Sequence, residues 1–201
     1  LGAIRNDGWR VQGVELNPQI AAFAQQTIGG KVFAGSLLEA AYSDHTFDLV
    51  TFWDVLEHLA DPRQALVEAA RITRPSGSLV LSLPNPRSLE ARMFGTNWAG
   101  WDIPRHLWWF PKPALVRLLA ETGWEAQEFI CMRGRHWLLG LSLRLWLEEQ
   151  SLPETLRQRL LAVFQSVPVR VVLLPYFSII EKLRLGSILV TFARRKDAPS
   201  A

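Results

Sequence analysis

The sequence predicts an α/β fold, a mostly parallel sheet with helices on both faces, and three observations carry that prediction. Short apolar runs at residues 11–15, 31–34, 47–52 and 78–83 alternate with segments of helical spacing at 18–28 and 62–72. Turn chemistry punctuates them: Asn17-Pro18 opens the first helical segment, Gly29-Gly30 stops it, and Pro75-Ser76-Gly77 precedes the fourth run. The bulk composition, 201 residues with 49% hydrophobic and 20% charged content, fits one globular domain with a sizeable core.

Taken in order, Val11-Gln12-Gly13-Val14-Glu15 is a short strand, and Ile20, Phe23, Ala24 and Ile28 then recur at helical spacing. Residues 31–34 form the next strand, and 47–52 a central strand that breaks into the acidic turn Trp53-Asp54-Val55-Leu56-Glu57-His58. The helix at 62–72 places Ala65, Leu66, Ala69 and Ile72 on one face, and 78–83 is a buried strand. A helix at 112–122 is closed by Gly123, and 124–132 and 187–192 are late strands.

Between those two strands, residues 136–186 are rich in Leu, Trp and Arg and broken by Pro153, Pro168 and Pro175, which reads as a helical insertion or lid. Trp137, Leu141, Leu145 and Leu147 are expected to share an apolar stripe edged by Arg144 and Glu148. Such a stripe packs on its own domain or lies on a membrane surface. The expected division is therefore 1–135 with 187–201 as one domain and 136–186 as the insertion.

Composition narrows the partners. The formal charge is +3 and the basic residues do not form a block apart from Arg194-Arg195-Lys196, so a nucleic-acid partner is not expected. The single cysteine, Cys131, excludes an internal disulfide and a cysteine-based zinc cluster, and fits a cytoplasmic location. The most apolar stretch, 160–192, is interrupted by Pro168, Arg170, Pro175, Glu181, Lys182 and Arg184 and does not read as a membrane span. The first residues carry no signal-peptide pattern.

In open α/β sheets, ligands sit beyond the carboxyl ends of the strands. Glu15, at such an end, can accept hydrogen bonds from both ribose hydroxyls of an adenosine-containing cofactor, nicotinamide dinucleotide included, or simply cap the following helix. Asp54, Glu57 and His58 stand at i, i+3 and i+4, sharing a face if the turn is helical. Histidine changes charge near neutral pH, so His58 is either a general base or a residue that holds the loop. Further on, Trp98, Trp101, Trp108 and Trp109 surround Arg105 and His106, the composition of a small-molecule pocket or of a loop pinned by large side chains.

The run from Phe47 to Pro62, the Pro75-x-Gly77 turn with its following apolar strand, and Pro104-Arg105-His106-Leu107 with Phe110 resemble the class I S-adenosylmethionine-dependent methyltransferases. Within that family they are similar to the branch containing the ubiquinone-biosynthesis O-methyltransferases. The resemblance implies a Rossmann-like sheet and S-adenosylmethionine as cofactor. It implies that Glu15 holds the ribose, that Leu16 lies against the adenine, that Gly35, Ser36 and Leu37 border its edge, and that Trp53 and Asp54 flank the methionine part. Ser36 stands where the family often has Asp. His106 is then the first candidate for proton removal, His58 the second, and Arg105 a substrate-orienting group. A divalent metal at Asp54, Glu57 and His58 is a further implication.

By the same resemblance a first strand with its glycine-rich loop belongs upstream of Leu1, between the strands at 11–15 and 47–52. The chain is accordingly expected to be part of a longer protein, or to receive that strand from another copy. The expected acceptor is a hydrophobic or lipid-linked small molecule, with peripheral membrane contact. A nicotinamide-dependent oxidoreductase and a binding module without activity are the alternatives.

Overall fold

The computed structural model describes residues 5–132 and 136–196, so expectations for residues 1–4 and 197–201 and for the boundary at 135 lie outside the described residues. The front of the chain folds into β1 (Gln12–Glu15), α1 (Pro18–Ile28) and β2 (Lys31–Ala34). Asn17 starts α1 because its side-chain oxygen accepts from the Gln19 and Ile20 amides at 2.9 and 3.1 Å, and Pro18 fills a position whose N–H would have no partner. Gly29 ends the helix with a left-handed φ of 62°. β1 and β2 pair in parallel with Glu15 opposite Ala34, so their carboxyl ends coincide. The apolar face expected on α1 is only partly covered: Ala21 is buried, whereas Ile20 and Phe23 are 53% and 69% exposed.

A second unit comprises β3 (Phe47–Trp53), α2 (Pro62–Ile72) and β4 (Thr73–Pro84). β4 starts five residues earlier than the sequence implies. Thr73 pairs with Phe47 and Ser78 with Leu49, so residues 74–77 bulge within one long strand instead of preceding it as a turn. The four-stranded sheet has the order β3-β4-β6-β5, where β5 is Trp124–Met132 and β6 is Ile188–Arg195. β3 runs parallel to β4, and β6 runs against both β4 and β5. β1 and β2 form a separate ladder, so among the described residues β1 and β3 each keep one edge without a strand partner.

The main core lies between this sheet, α2 and α4 (Lys112–Glu121). Leu66 and Ala69 of α2 pack with Phe52, Leu79, Leu81, Leu115, Leu119 and Trp124, which is why α2 keeps Ala65, Leu66, Ala69 and Ile72 buried. The Trp124 indole donates to the Leu66 carbonyl at 3.0 Å, fastening β5 to α2.

A second, smaller core gathers Leu139, Phe177 and Ile180 with Leu89, Phe94 and Phe164. It is built from α3 (Leu89–Phe94), α5 (His136–Glu149), α6 (Glu154–Gln165) and α8 (Leu174–Lys182), with α7 (Val167–Val172) joining the last two. Here one expectation is corrected. Leu147 does not share the face of Trp137, Leu141 and Leu145; it is buried on the inward face, as is Leu139, slightly more than two turns earlier, while the other three stay exposed.

Candidate active site

The end of β3 is shaped by a backbone reversal. Asp54 has a left-handed φ of 52°; its amide donates to the Ser82 carbonyl and its carboxylate accepts from the Ser82 hydroxyl, each at 3.0 Å. The chain then forms a single 3₁₀ turn, Leu56–His58, that drives Leu56 and Glu57 into the interior and leaves His58 exposed. Asp54, Glu57 and His58 therefore do not share one helical face: Asp54 lies outside the turn and is bonded back to β4.

The tryptophan-rich loop closes over this turn. Two 3₁₀ turns, Gly95–Asn97 and Ala99–Trp101, bury Trp98, and the Trp101 indole donates to the Gly95 carbonyl at 2.7 Å. Trp101 meets Trp98 and Trp109 edge-on with ring centres 5.0 and 5.7 Å apart, so these three tryptophans are chiefly a structural pin. The Leu107 and Trp108 amides both donate to the Glu57 carbonyl, at 2.8 and 3.3 Å, and the Trp108 indole donates to the Leu59 carbonyl at 2.8 Å. Asp102, with a φ of 40°, grips the Arg105 guanidinium at 2.6 Å.

These bonds bring the His58 and His106 rings together, 4.7 Å apart and edge-to-face. His58 Nδ1 lies 2.9 Å from the Arg105 carbonyl and His106 Nδ1 lies 3.0 Å from the Gly100 carbonyl. A carbonyl only accepts, so each Nδ1 carries the hydrogen, which in a neutral ring places the lone pair on Nε2. Burial pushes the pKa of His106 below the usual histidine value, against the bond to Gly100 that raises it, which favours the neutral ring that can accept a proton. Glu57 is fully buried with no well-formed hydrogen bond to either carboxyl oxygen, and burial raises its pKa to about 7 against the weaker pull of its own backbone N–H.

One carboxyl oxygen of Glu57 and one ring nitrogen each of His58 and His106 lie within 4.8 Å of one another. Groups this close can share a proton or a cation. The imidazole and carboxylate set fits a divalent transition metal, and Asp54 is not part of it. Sequence reasoning missed the coupling of Glu57 to His106 and the positioning role of Asp102. Asp102, Arg105 and His106 repeat the i, i+3, i+4 spacing, which was the available signal.

The expected cofactor residues lie at the strand ends. Glu15 accepts from the Asn17 amide at 2.9 Å, bridging the turn into α1, and Leu16 is exposed. Gly35 has a φ of 152° and its amide donates to the Glu15 carbonyl at 2.9 Å; a Cβ there would stand 2.6 Å from the Phe33 ring. Ser36 is engaged with Glu39: its amide and hydroxyl both donate to the Glu39 carboxylate at 2.7 Å. Leu37 packs against the main core, and Trp53 is 54% exposed. A cavity of about 610 Å³ bounded by Arg5, Trp9, Gln12 and Lys31 lies at the opposite, amino ends of β1 and β2, away from these groups.

The methyltransferase-domain family matches residues 1–128, and the chain belongs to it. The ubiquinone biosynthesis O-methyltransferase of Nitrosospira multiformis is 30% identical over 142 residues, 65% of this chain and 59% of that protein. A demethylmenaquinone methyltransferase of Bacillus mycoides is 29% identical over 85 residues, 39% of this chain and 35% of that one. The chain thus spans less than two thirds of the length of these relatives. Among solved structures, a putative methyltransferase from Bacillus halodurans superposes with a TM-score of 0.59 at 20% identity, covering 93% of this chain and 83% of that one. An S-adenosylmethionine-dependent methyltransferase from Thermotoga maritima, described as a possible histamine N-methyltransferase, gives 0.58 at 19% identity, covering 92% and 72%. These likenesses show the Rossmann-like methyltransferase fold, with its mostly parallel sheet and flanking helices.

Proposed function

We propose that the protein transfers the methyl group of S-adenosylmethionine to a hydroxyl of a hydrophobic or lipid-linked small molecule. The observation that carries the reading is the pair of histidines held together at the carboxyl end of β3 beside the exposed Trp53, each with Nδ1 on a backbone carbonyl and His106 Nε2 3.8 Å from the Asp102 carboxylate. The acceptor oxygen attacks the sulfonium methyl carbon, the carbon–sulfur bond breaks to release S-adenosylhomocysteine, and the hydroxyl proton passes to Nε2 of His106 or, second, of His58. Arg105, tied to Asp102 and otherwise exposed, orients the acceptor. Glu15, Leu16, Gly35, Leu37, Trp53 and Asp54 border the cofactor, while Ser36 supports its loop through Glu39.

The quinone-biosynthesis branch is supported by the names of the distant relatives and by the Pro104-Arg105-His106-Leu107 sequence. A strand with a glycine-rich loop, seated between β1 and β3, would pair both open edges. The protein works in the cytoplasm and touches a membrane peripherally through the helices of 136–186. The test is transfer of labelled methyl from S-adenosylmethionine by the full-length protein into phenolic acceptors with and without an isoprenoid tail. Label entering the tailed acceptor and lost in His106→Asn supports the reading; label in neither acceptor defeats it.

A further inference from the structure

The helices α6 to α8 carry an apolar surface that neither core uses. Leu156, Leu160 and Val163 share one face of α6 at intervals of four and three residues, and beyond the bend at Ser166 Val167, Val171 and Leu174 follow at the same intervals on α7 and the start of α8. All six are exposed, Val163 and Val167 by 61% and 70%, and Val172 beside them by 75%. α6 buries no residue at all. Large apolar side chains exposed in such number on successive helices mark an interaction surface rather than ordinary surface scatter.

Charge identifies what covers it. From 154 to 184 the chain carries five basic residues, Arg157, Arg159, Arg170, Lys182 and Arg184, against two acidic residues, Glu154 and Glu181. Of these cations only Arg157 has an ion-pair partner among the described residues, Glu154; the other four are exposed and unpaired. A groove of about 850 Å³ between α5 and α6, beside Trp137, Leu141 and Leu161, is lined by Arg170 and by Arg144 and Arg157, which are paired there with Glu148 and Glu154. An apolar face bordered by unpaired cations is complementary to the boundary between acyl chains and anionic headgroups.

By length and composition residues 154–165 and 167–182 pass for a membrane span only as a bent pair, a broken span or re-entrant loop, and their geometry favours the interface plane. No single described helix is long and apolar enough to cross a membrane, and α6 is bent by 58° from the helices that follow. Its 12 residues extend only about 18 Å against a hydrocarbon core of about 30 Å. A bent, short amphipathic array lies in the interface plane.

We infer that the α6–α8 face docks this protein on an anionic lipid bilayer, with Val163, Val167, Val171 and Val172 entering the acyl boundary and Arg159, Arg170, Lys182 and Arg184 meeting the headgroups. The inference rests on the reading that the protein contacts a membrane, and it assigns that contact to this face and to anionic lipid rather than to Trp137 and Trp146 of α5. None of these residues belongs to the strand-end site.

The test is co-sedimentation of the full-length protein with vesicles of phosphatidylcholine alone or mixed equally with phosphatidylglycerol. Binding to the mixed vesicles is expected to fall about tenfold or more in Val163→Asp/Val171→Asp, in Arg159→Glu/Arg170→Glu, and on omission of phosphatidylglycerol. Unchanged S-adenosylhomocysteine affinity and thermal melting show that the variants fold. Equal binding by wild type and variants, or equal binding to both lipids, overturns this assignment while leaving membrane contact standing. No binding to either vesicle overturns both. Self-association that disappears in Val163→Asp/Val171→Asp, without vesicle binding, overturns the inference in favour of a second copy as the occupant.

Discussion

Replacing Glu57 by Gln isolates the charge that the strand-end site buries. The carboxyl is fully buried without a well-formed hydrogen bond; burial is the largest cause of the rise in its pKa from 4.5 to about 7, its own backbone N–H opposes that rise, the Asp54 charge adds to it, and His58 opposes it. The unfolded chain releases this proton near 4.5, whereas the folded chain holds it to about 7. Between those values the folded state binds more protons, so stability falls as pH rises. Below the window both states are protonated and no penalty exists; above it the penalty is complete, about 3 kcal/mol for a shift of this size. Glutamine has the same shape and no charge. Urea unfolding with a chelator present is therefore expected to give wild type and Glu57→Gln similar stability near pH 4, and an advantage of about 3 kcal/mol for the variant near pH 8. A difference that does not change with pH refutes the reasoning. So does a wild type that gains on the variant as pH rises, because the carboxylate would then be held charged by cationic histidines.

His106→Asn is expected to lower kcat about a hundredfold or more, with S-adenosylhomocysteine affinity nearly unchanged by calorimetry. Because burial depresses the pKa of His106 and the base must be neutral, the acid limb of wild-type kcat/KM is expected below the usual histidine value of 6.5 and to vanish in the variant. Gly35→Ala places a Cβ against the Phe33 ring at a φ of 152° and is expected to destabilise by about 1–3 kcal/mol in thermal melts, weakening cofactor binding in parallel. Trp124→Phe keeps most of the packed ring but leaves the Leu66 carbonyl without its buried donor, an expected loss of about 1–3 kcal/mol in urea unfolding.

The sequence was most legible where local chemistry and tertiary packing agree. Asn17-Pro18 with Gly29 and Asp61-Pro62 set the limits of α1 and α2, because caps and prolines act within a few residues. The apolar face of α2 was legible for the same reason, since the sheet it packs against lies in the described chain. The same periodicity in α1 predicts a buried face that Ile20 and Phe23 do not have. Periodicity states which residues seek cover and not what supplies it. In the site, the candidate histidines were readable as residue types, but their meeting depends on Leu107 and Trp108 bonding the Glu57 carbonyl across about fifty residues of chain, a long-range pairing without local pattern. The failure at Asp54 is also instructive: the i, i+3, i+4 spacing presumes a helix, and the left-handed φ of Asp54 with its bonds to Ser82 starts the turn two residues later. Leu147 was misassigned because a stripe drawn by apolarity alone does not say which side of α5 meets the second core.

The central claim, that this methyltransferase-fold protein binds S-adenosylmethionine at the carboxyl ends of β1 to β3, is tested most directly by calorimetric titration of the full-length protein with S-adenosylhomocysteine and, separately, with nicotinamide dinucleotide. The account predicts saturable heat with S-adenosylhomocysteine alone, weakened about tenfold or more by Glu15→Ala, since charge-assisted hydrogen bonds to the ribose hydroxyls are lost. Heat with nicotinamide dinucleotide and none with S-adenosylhomocysteine, or S-adenosylhomocysteine binding indifferent to Glu15→Ala, would contradict it.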